Sequence, residues 1–175
     1  MRRTWLGLLC LLSTPVLAQT TDPSEASNGD FGAKLLTTDD PDGFWREWNQ
    51  PENPTVSTTS RVTQARPVYA IIVFHDCRAG ADGKCKVTAH FDITDPDGKP
   101  YDEPRSATAW SEAPAPNHNL QASLASIGFR LEPQDKLGRY EIKATLTDEV
   151  AGRRLTLRQS VSAEAEQAGG PAPIS

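Results

Sequence analysis

The sequence predicts an all-β protein in which one antiparallel β-sandwich of about seven short strands lies between unstructured ends. Several segments alternate apolar and polar residues with a period of two, which is typical of half-buried strands. Turn-forming Asp, Gly and Pro residues separate these segments at nearly regular spacing. No segment shows a convincing helical period of apolar residues. These observations predict a single sandwich over residues 55–162.

Two segments in the middle of the chain give the clearest strand patterns. PVYAIIVFHD, residues 67–76, is an almost continuous apolar run and predicts a strand buried on both faces. KCKVTAHFDIT, residues 84–94, alternates strictly and predicts a strand with one solvated face. Because an Asp-Gly turn separates them, we expect these two strands to form a hairpin. The remaining strands are expected at 106–112, 119–124, 127–131, 139–147 and 153–161.

Residues 1–18 have the pattern of a cleavable signal peptide. Arg2 and Arg3 precede an apolar run of about eight residues, and the small residues up to Ala18 fit a peptidase site. The run is shorter than the roughly 20 residues of a membrane-spanning helix. No later segment is long and apolar enough to span a bilayer. We therefore expect an exported protein, periplasmic or secreted, without a membrane span in its mature chain.

The segments that flank the sandwich differ in composition. Residues 19–38 and 163–175 are rich in small polar residues, and their low apolar content predicts disorder. Residues 39–54 form a predicted aromatic strap that carries Phe44, Trp45 and Trp48. We expect the strap to pack on the sandwich and plug an open end. The alternative is an exposed aromatic face that binds a partner protein or a glycan, with Trp110 as a further candidate.

The stretch HDCRAGADGKC, residues 75–85, carries the two cysteines that remain once the signal peptide is removed. An even pair of cysteines in an oxidising compartment predicts a disulfide, here Cys77–Cys85 at the tip of the expected hairpin. The spacing matches neither the C-x-x-C redox motif nor a four-ligand zinc site. A redox pair and a metal site are therefore the weaker alternatives.

The segment DKLGRYEI, residues 135–142, resembles the start of the penultimate strand of immunoglobulin-like domains. Asp135, Gly138 and Tyr140 match by type the residues of the tyrosine corner, in which a tyrosine hydroxyl bonds back to the backbone. The following GRYEIKATLTDEVAGRRLTL is similar to the closing hairpin of bacterial immunoglobulin-like or macroglobulin-type domains. Ile142 stands where an antibody domain has its second cysteine. The resemblance implies a fold and no activity.

The sequence lacks the common catalytic motifs: G-x-S-x-G, S-x-x-K, H-E-x-x-H and a glycine-rich phosphate loop. We therefore predict that the protein is not an enzyme and that it has no catalytic residues and no cofactor. His75 and His90 are expected near the disulfide, and a metal site that uses both is a minor alternative. His118 lies in a proline-flanked loop and has no partner that the sequence identifies.

The net charge of −5 over 175 residues argues against nucleic acid and anionic lipid as partners. We expect a non-catalytic protein-binding or accessory module of the cell envelope, whose partner is an envelope or secreted protein. One alternative is a small secreted inhibitor or immunity protein that inserts the loop 78–84 into its target. The other is a metal-binding protein that uses His75 and His90.

Overall fold

The computed structural model describes residues 22–51 and 54–165, which form nine strands and one short α-helix. The protein is mostly β, as predicted, but it has more strands than the seven expected. The elements are β1 (Glu25–Asn28), β2 (Phe31–Thr38), α1 (Pro41–Trp48), β3 (Arg61–Val62), β4 (Val68–His75), β5 (Val87–Thr94), β6 (Arg105–Trp110), a 3₁₀ turn (Pro116–His118), β7 (Gln121–Phe129), β8 (Gly138–Asp148) and β9 (Arg153–Ala163).

The nine strands divide into two sheets. Sheet A has the order β1-β2-β4-β7, and sheet B has the order β3-β9-β8-β5-β6. All neighbouring strands pair antiparallel except β3, which runs parallel to β9 over two residues. Sheet B is therefore mixed, whereas the sequence predicted an antiparallel arrangement throughout. No hairpin joins β3 to β9, so the connection does not impose an antiparallel pairing.

The inner faces of the two sheets share one hydrophobic core. Strand β5 alternates between buried and half-buried residues along its whole length, which confirms the predicted pattern. Strand β8, which follows β5 by more than 40 residues in the sequence, alternates in the same way and contributes fully buried side chains. The core residues of these two strands are Val87, Ala89, Phe91, Ile93, Tyr140, Ile142, Ala144 and Leu146.

The prediction of disorder over 19–38 is corrected by β1 and β2, which occupy residues 25–28 and 31–38. Strand β2 lies inside sheet A, where it pairs with β1 on one side and β4 on the other. Phe31, Ala33 and Leu35 alternate along β2 and are buried in the core. The polar residues before this short alternating pattern lower the average apolar content of residues 19–38. The composition of the whole segment therefore does not indicate the strand that it contains.

The predicted hairpin between residues 67–76 and 84–94 is also corrected. Strand β4 lies in sheet A and β5 lies in sheet B, so the connection between them crosses from one sheet to the other. The two strands predicted at 119–124 and 127–131 are one strand, β7, whose pairing with β4 shifts register between Ile71 and Val73. Turn residues mark where a strand ends, but they do not determine which sheet the next strand joins.

Helix α1 forms within the predicted aromatic strap. The side chain of Asp40 accepts a hydrogen bond from the backbone N–H of Gly43 at 2.8 Å, and Pro41 occupies the first turn, as expected at a helix N-terminus. Phe44 is 2% exposed and packs with Ile71 and Val73 on the outer face of sheet A. The helix thus covers a sheet face and does not plug an open end. Its position explains why β4 is buried on both faces, as predicted.

The described residues do not include either end of the sequence. The predicted signal peptide, residues 1–18, and the tail from residue 166 onward lie outside the described residues. Residue 163, where the tail was predicted to begin, is the last residue of β9. In the described part of the chain, no helix has the length and hydrophobicity that crossing a bilayer requires.

We predict that Phe44→Ala lowers the free energy of unfolding by about 3–5 kcal/mol, because it removes a buried aromatic ring between α1 and sheet A. Equilibrium unfolding in urea measures the loss. Arg46→Ala, at an exposed position of the same helix, should change stability by no more than about 0.5 kcal/mol. Equal stability of Phe44→Ala and the parent protein would contradict the packing of α1 on the sheet.

Candidate functional site

The connection between β4 and β5 contains the disulfide. The sulfur atoms of Cys77 and Cys85 are 2.08 Å apart, and both cysteines are buried in the main core. The loop between them, residues 78–84, is largely exposed. Within it the N–H of Gly80 donates to the carbonyl of Lys84 at 2.8 Å, and the Lys84 ammonium contacts Glu112 at 2.9 Å. The loop is therefore held in one conformation while it projects into solvent.

A buried carboxylate fixes the base of this loop. Asp148, at the end of β8, has no exposed surface. Its side-chain oxygens accept hydrogen bonds from the backbone N–H groups of Arg78 (2.8 Å), Val150 (3.0 Å) and Ala151 (3.1 Å). These three donors satisfy the buried side-chain oxygens and join the disulfide loop to the turn between β8 and β9.

Next to the disulfide, one carboxylate bridges two histidines. The Oδ2 atom of Asp76 lies 2.8 Å from Nδ1 of His75, and its Oδ1 atom lies 2.5 Å from Nδ1 of His118. His75 is the last residue of β4, and its ring rests on Gly32 of β2. A β-carbon at position 32 would lie 2.3 Å from Nε2 of His75, so only glycine leaves room for this ring.

The hydrogen bonds from the two rings stabilise the ionised form of Asp76. Burial by itself raises the pKa of this carboxyl group. The hydrogen bonds from His75 and His118, together with the positive charge that the rings carry when protonated, outweigh burial and hold the pKa below its ordinary value of 3.8. Asp76 is therefore an anion at neutral pH and acts as an acceptor for both rings.

A cleft of about 450 Å³ opens beside this cluster. Among the described residues, the non-glycine residues with positive φ are Asp76 (59°), Asn117 (56°) and His118 (59°), and all three line the cleft. The left-handed conformation is costly for residues with a side chain and is found preferentially at binding and catalytic sites. The remaining lining residues are Asp30, Cys77, Arg78, Pro114, Ala115 and Arg153.

The histidines named in the metal hypothesis lie apart. His75 ends a strand of sheet A, whereas His90 lies on β5 in sheet B. His90 contacts the hydroxyl of Ser106 through Nδ1 at 2.8 Å and the carboxylate of Asp92 through Nε2 at 3.3 Å. Over residues 22–51 and 54–165, His, Cys, Asp and Glu side chains form no group of three or more that could hold a metal ion.

The predicted aromatic contact residues occupy two separate places. Phe44 is buried under the other rings of α1, so its side chain is inaccessible, while Trp45 and Trp48 are half-buried on the outer face of sheet A. Trp110 packs instead against the main core, with its ring centroid 6.4 Å from that of Phe74. The structure therefore does not bring the four aromatic residues together on one surface.

Two leucines that the sequence analysis did not single out are more exposed than any of these rings. Leu120 is 55% exposed and Leu124 is 64% exposed, and both lie at or near the edge strand β7. Leu120 lines a groove of about 510 Å³ on sheet A, together with Val73 and His75. Large exposed apolar side chains at a sheet edge are typical of contact surfaces.

The sequence analysis also missed the link between Asp76 and His118 and the cleft beside it. His118 lies 42 positions downstream of Asp76, and no periodic pattern connects them. The only sequence signal was the residue type, because Asn, Asp and His tolerate the left-handed conformation better than other side-chain-bearing residues. That signal locates turns and does not identify spatial neighbours.

Comparison with known proteins finds no matching family model and no similar curated sequence. Among solved structures, the chain is similar to a family 123 glycoside hydrolase from Clostridium perfringens studied for glycolipid glycan hydrolysis, with a TM-score of 0.45 and 11% identity. That alignment covers 78% of this chain and spans 28% of the hydrolase chain. A Northeast Structural Genomics Consortium target has a TM-score of 0.39 and 13% identity, over 84% of this chain and 93% of that chain.

Removal of the disulfide should destabilise the protein without abolishing its fold. For the double substitution Cys77→Ala with Cys85→Ala, we expect the free energy of unfolding to fall by about 2–3 kcal/mol, because the disulfide bond restricts a short loop of the unfolded chain. Urea unfolding of the variant and of the oxidised parent measures the difference. A variant as stable as the parent would show that the bond does not contribute to stability.

Replacement of Asp76 should reveal the two histidine contacts. Asp76→Asn keeps the shape of the side chain and tolerates positive φ, but it removes at least one hydrogen-bond acceptor. We therefore expect the free energy of unfolding to fall by about 1–3 kcal/mol at neutral pH. Because the pKa of Asp76 is lowered in the folded state, its contribution to stability is fully present above a pH of about 3.8 and is lost as the pH falls further. Unfolding at a series of pH values tests this. A difference that persists unchanged in strong acid would contradict it.

Proposed function

We propose that this protein is a non-catalytic binding or accessory module of the cell envelope or secreted fraction. We further propose that it contacts a partner protein with the disulfide-closed loop 78–84 and the adjoining cleft, here called the loop–cleft surface. The observation that carries the proposal is the loop itself, which is exposed yet restrained by the disulfide and its internal hydrogen bonds. A restrained exposed loop loses little entropy when it binds, which favours recognition.

The residues around the loop support binding over catalysis. The disulfide removes both thiols of the described chain as nucleophiles. The cleft carries strained residues, arginines and carboxylates, which are suited to fixing a ligand group in one orientation. The described chain contains no cluster of metal ligands near His75 or His90, so a metal-binding role has less support. The absence of enzymatic activity remains a prediction.

We propose that the fold of this protein is related to that of immunoglobulin-like domains. The order β9-β8-β5-β6 of sheet B corresponds to strands G, F, C and C′ of a variable-type domain, and β4-β7 of sheet A corresponds to strands B and E. The Tyr140 hydroxyl donates to the carbonyl of Lys136 at 3.0 Å, which is the contact that the tyrosine corner requires. These correspondences support the relationship, and in such domains the loops at the ends of the sheets commonly bind partners.

A second candidate surface is the outer face of sheet A. Its support is the pair of exposed leucines, Leu120 and Leu124, on the face that also carries the half-buried rings of Trp45 and Trp48. An apolar surface of this kind would bind a partner mainly by hydrophobic burial.

Photo-crosslinking in the source cells distinguishes the two surfaces. A photoreactive residue is placed at Ala81 in the loop, at Leu124 on the outer face of sheet A, or at Lys99 in the turn after β5, which serves as the control. We expect a discrete crosslinked partner from Ala81 and none from Lys99, because the two positions lie at opposite ends of β5. Mass spectrometry of the product identifies the partner.

Two results would contradict the proposed surface. A partner crosslinked only from Leu124 would place recognition on the outer face of sheet A. Equal products from all three positions would indicate unspecific contact.

A further inference from the structure

Two arginines in the cleft have no carboxylate partner among the described residues. Arg78 and Arg153 both line the cleft, and neither guanidinium forms an ion pair there. Five other arginines of the described chain do form such pairs: Arg46, Arg61, Arg66, Arg105 and Arg158. A guanidinium group that forms no ion pair within the protein can bind an anion from outside.

The guanidinium of Arg153 lies close to Gly29. A β-carbon at Gly29 would lie 3.1 Å from Cζ, 3.2 Å from Nη2 and 3.3 Å from Nη1 of Arg153. The three nearly equal distances show that the plane of the guanidinium group faces the position that a β-carbon would occupy at Gly29. In this orientation its N–H groups point along the plane, where a planar anion can accept two of them.

The backbone of other lining residues is restrained by local contacts. Asp76, Asn117 and His118 have left-handed backbones, and the bond from His118 to Asp76 ties the 3₁₀ turn to the end of β4. Cys77 anchors Arg78 to the core through the disulfide. The backbone around these lining residues is therefore restrained before a ligand arrives, which lowers the entropy lost on binding.

The charges of the lining residues indicate the kind of anion. Arg78 and Arg153 contribute two positive charges, while Asp30 and Asp76 contribute two negative charges, so the lining is neutral when His118 is neutral. Asp76 already accepts hydrogen bonds from two histidines. A neutral lining gains no net Coulomb energy from a second negative charge on the ligand, and the planar guanidinium group matches the two oxygens of a singly charged carboxylate.

We propose that this cleft binds a carboxylate of the partner protein, through Arg153 and Arg78. This inference rests on the proposed function, since it identifies the chemical group that the loop–cleft surface recognises. The carboxylate belongs either to an acidic side chain or to the C-terminus of the partner chain, and both offer the same planar pair of oxygens.

Nuclear magnetic resonance of the ¹⁵N-labelled, disulfide-intact protein tests the site directly. Sodium acetate is titrated at constant ionic strength, with sodium chloride as the compensating salt and sodium phosphate as the competing anion. We expect saturable shifts of the Nε–H signals of Arg78 and Arg153 and of the Asn117 backbone amide, with a dissociation constant on the order of 1–10 mM. Arg153→Gln should weaken this binding by roughly tenfold or more.

Arg154→Gln is the matched control, because Arg154 is the next residue of β9, is exposed and does not line the cleft. It removes the same charge from the protein and should leave acetate binding unchanged. The intact disulfide and an unchanged thermal midpoint confirm that each variant is folded. The carboxylate site would be overturned by any of three results. These are an equal loss of acetate affinity in Arg153→Gln and Arg154→Gln, no saturable shift with acetate, or tighter binding of phosphate than of acetate.

Two peptides then distinguish the sources of the carboxylate. One is an alanine peptide with a single internal glutamate, a blocked N-terminus and an amidated C-terminus, and the other is an alanine peptide with a blocked N-terminus, no charged side chain and a free C-terminus. Shifts with the first only assign an acidic side chain, shifts with the second only assign a C-terminus, and binding of neither overturns the inference. If Ala81 crosslinks a partner and Arg153→Gln leaves that crosslink unchanged, the carboxylate inference fails while the proposed function stands.

Discussion

The crossing of the chain from sheet A to sheet B between β4 and β5 is the constraint on which the molecule depends. Strand β4 is an inner strand of sheet A, and the next strand in the chain, β5, is an inner strand of sheet B. Both strands contribute apolar side chains to one core. The Cys77–Cys85 bond joins the end of the first strand to the start of the second. The Asp148 carboxylate then attaches the loop between them to the turn after β8, so two segments distant in the sequence meet at one end of the sheets.

This arrangement accounts for the position of the cleft. The chain must turn sharply where it leaves β4, and Asp76 makes that turn in a left-handed conformation that few residues adopt readily. Its side chain is then directed toward His118, which draws the loop before β7 against the same end of the molecule. The turn between β1 and β2 brings Gly29 under Arg153. A cleft with fixed polar walls is therefore a direct result of how the two sheets are joined.

Sequence reasoning was most successful where a pattern is local. The alternation of residues 84–94 gave β5 and its buried face correctly, and the apolar run at 67–76 gave β4 with burial on both faces. It failed where the answer depends on distant partners. The hairpin expected between β4 and β5 is absent because turn residues carry no information about which sheet the next strand joins. Strand β2 was overlooked because its three core residues are flanked by polar neighbours, and only its pairing with β4 gives them a core to enter.

The sequence by itself determined the β-rich character of the chain, the strands with a clear period of two and the pairing of the cysteines, because each follows from the chemistry of neighbouring residues. Tertiary structure alone decided that His118 meets Asp76, that Arg153 lies on Gly29, and that Phe44 is buried while Leu124 is exposed. Each of these contacts joins residues from different elements or depends on which face another element covers. Such relations arise only when the strands pair and the sheets pack, because the free energy that selects them belongs to the assembled core and not to any single segment.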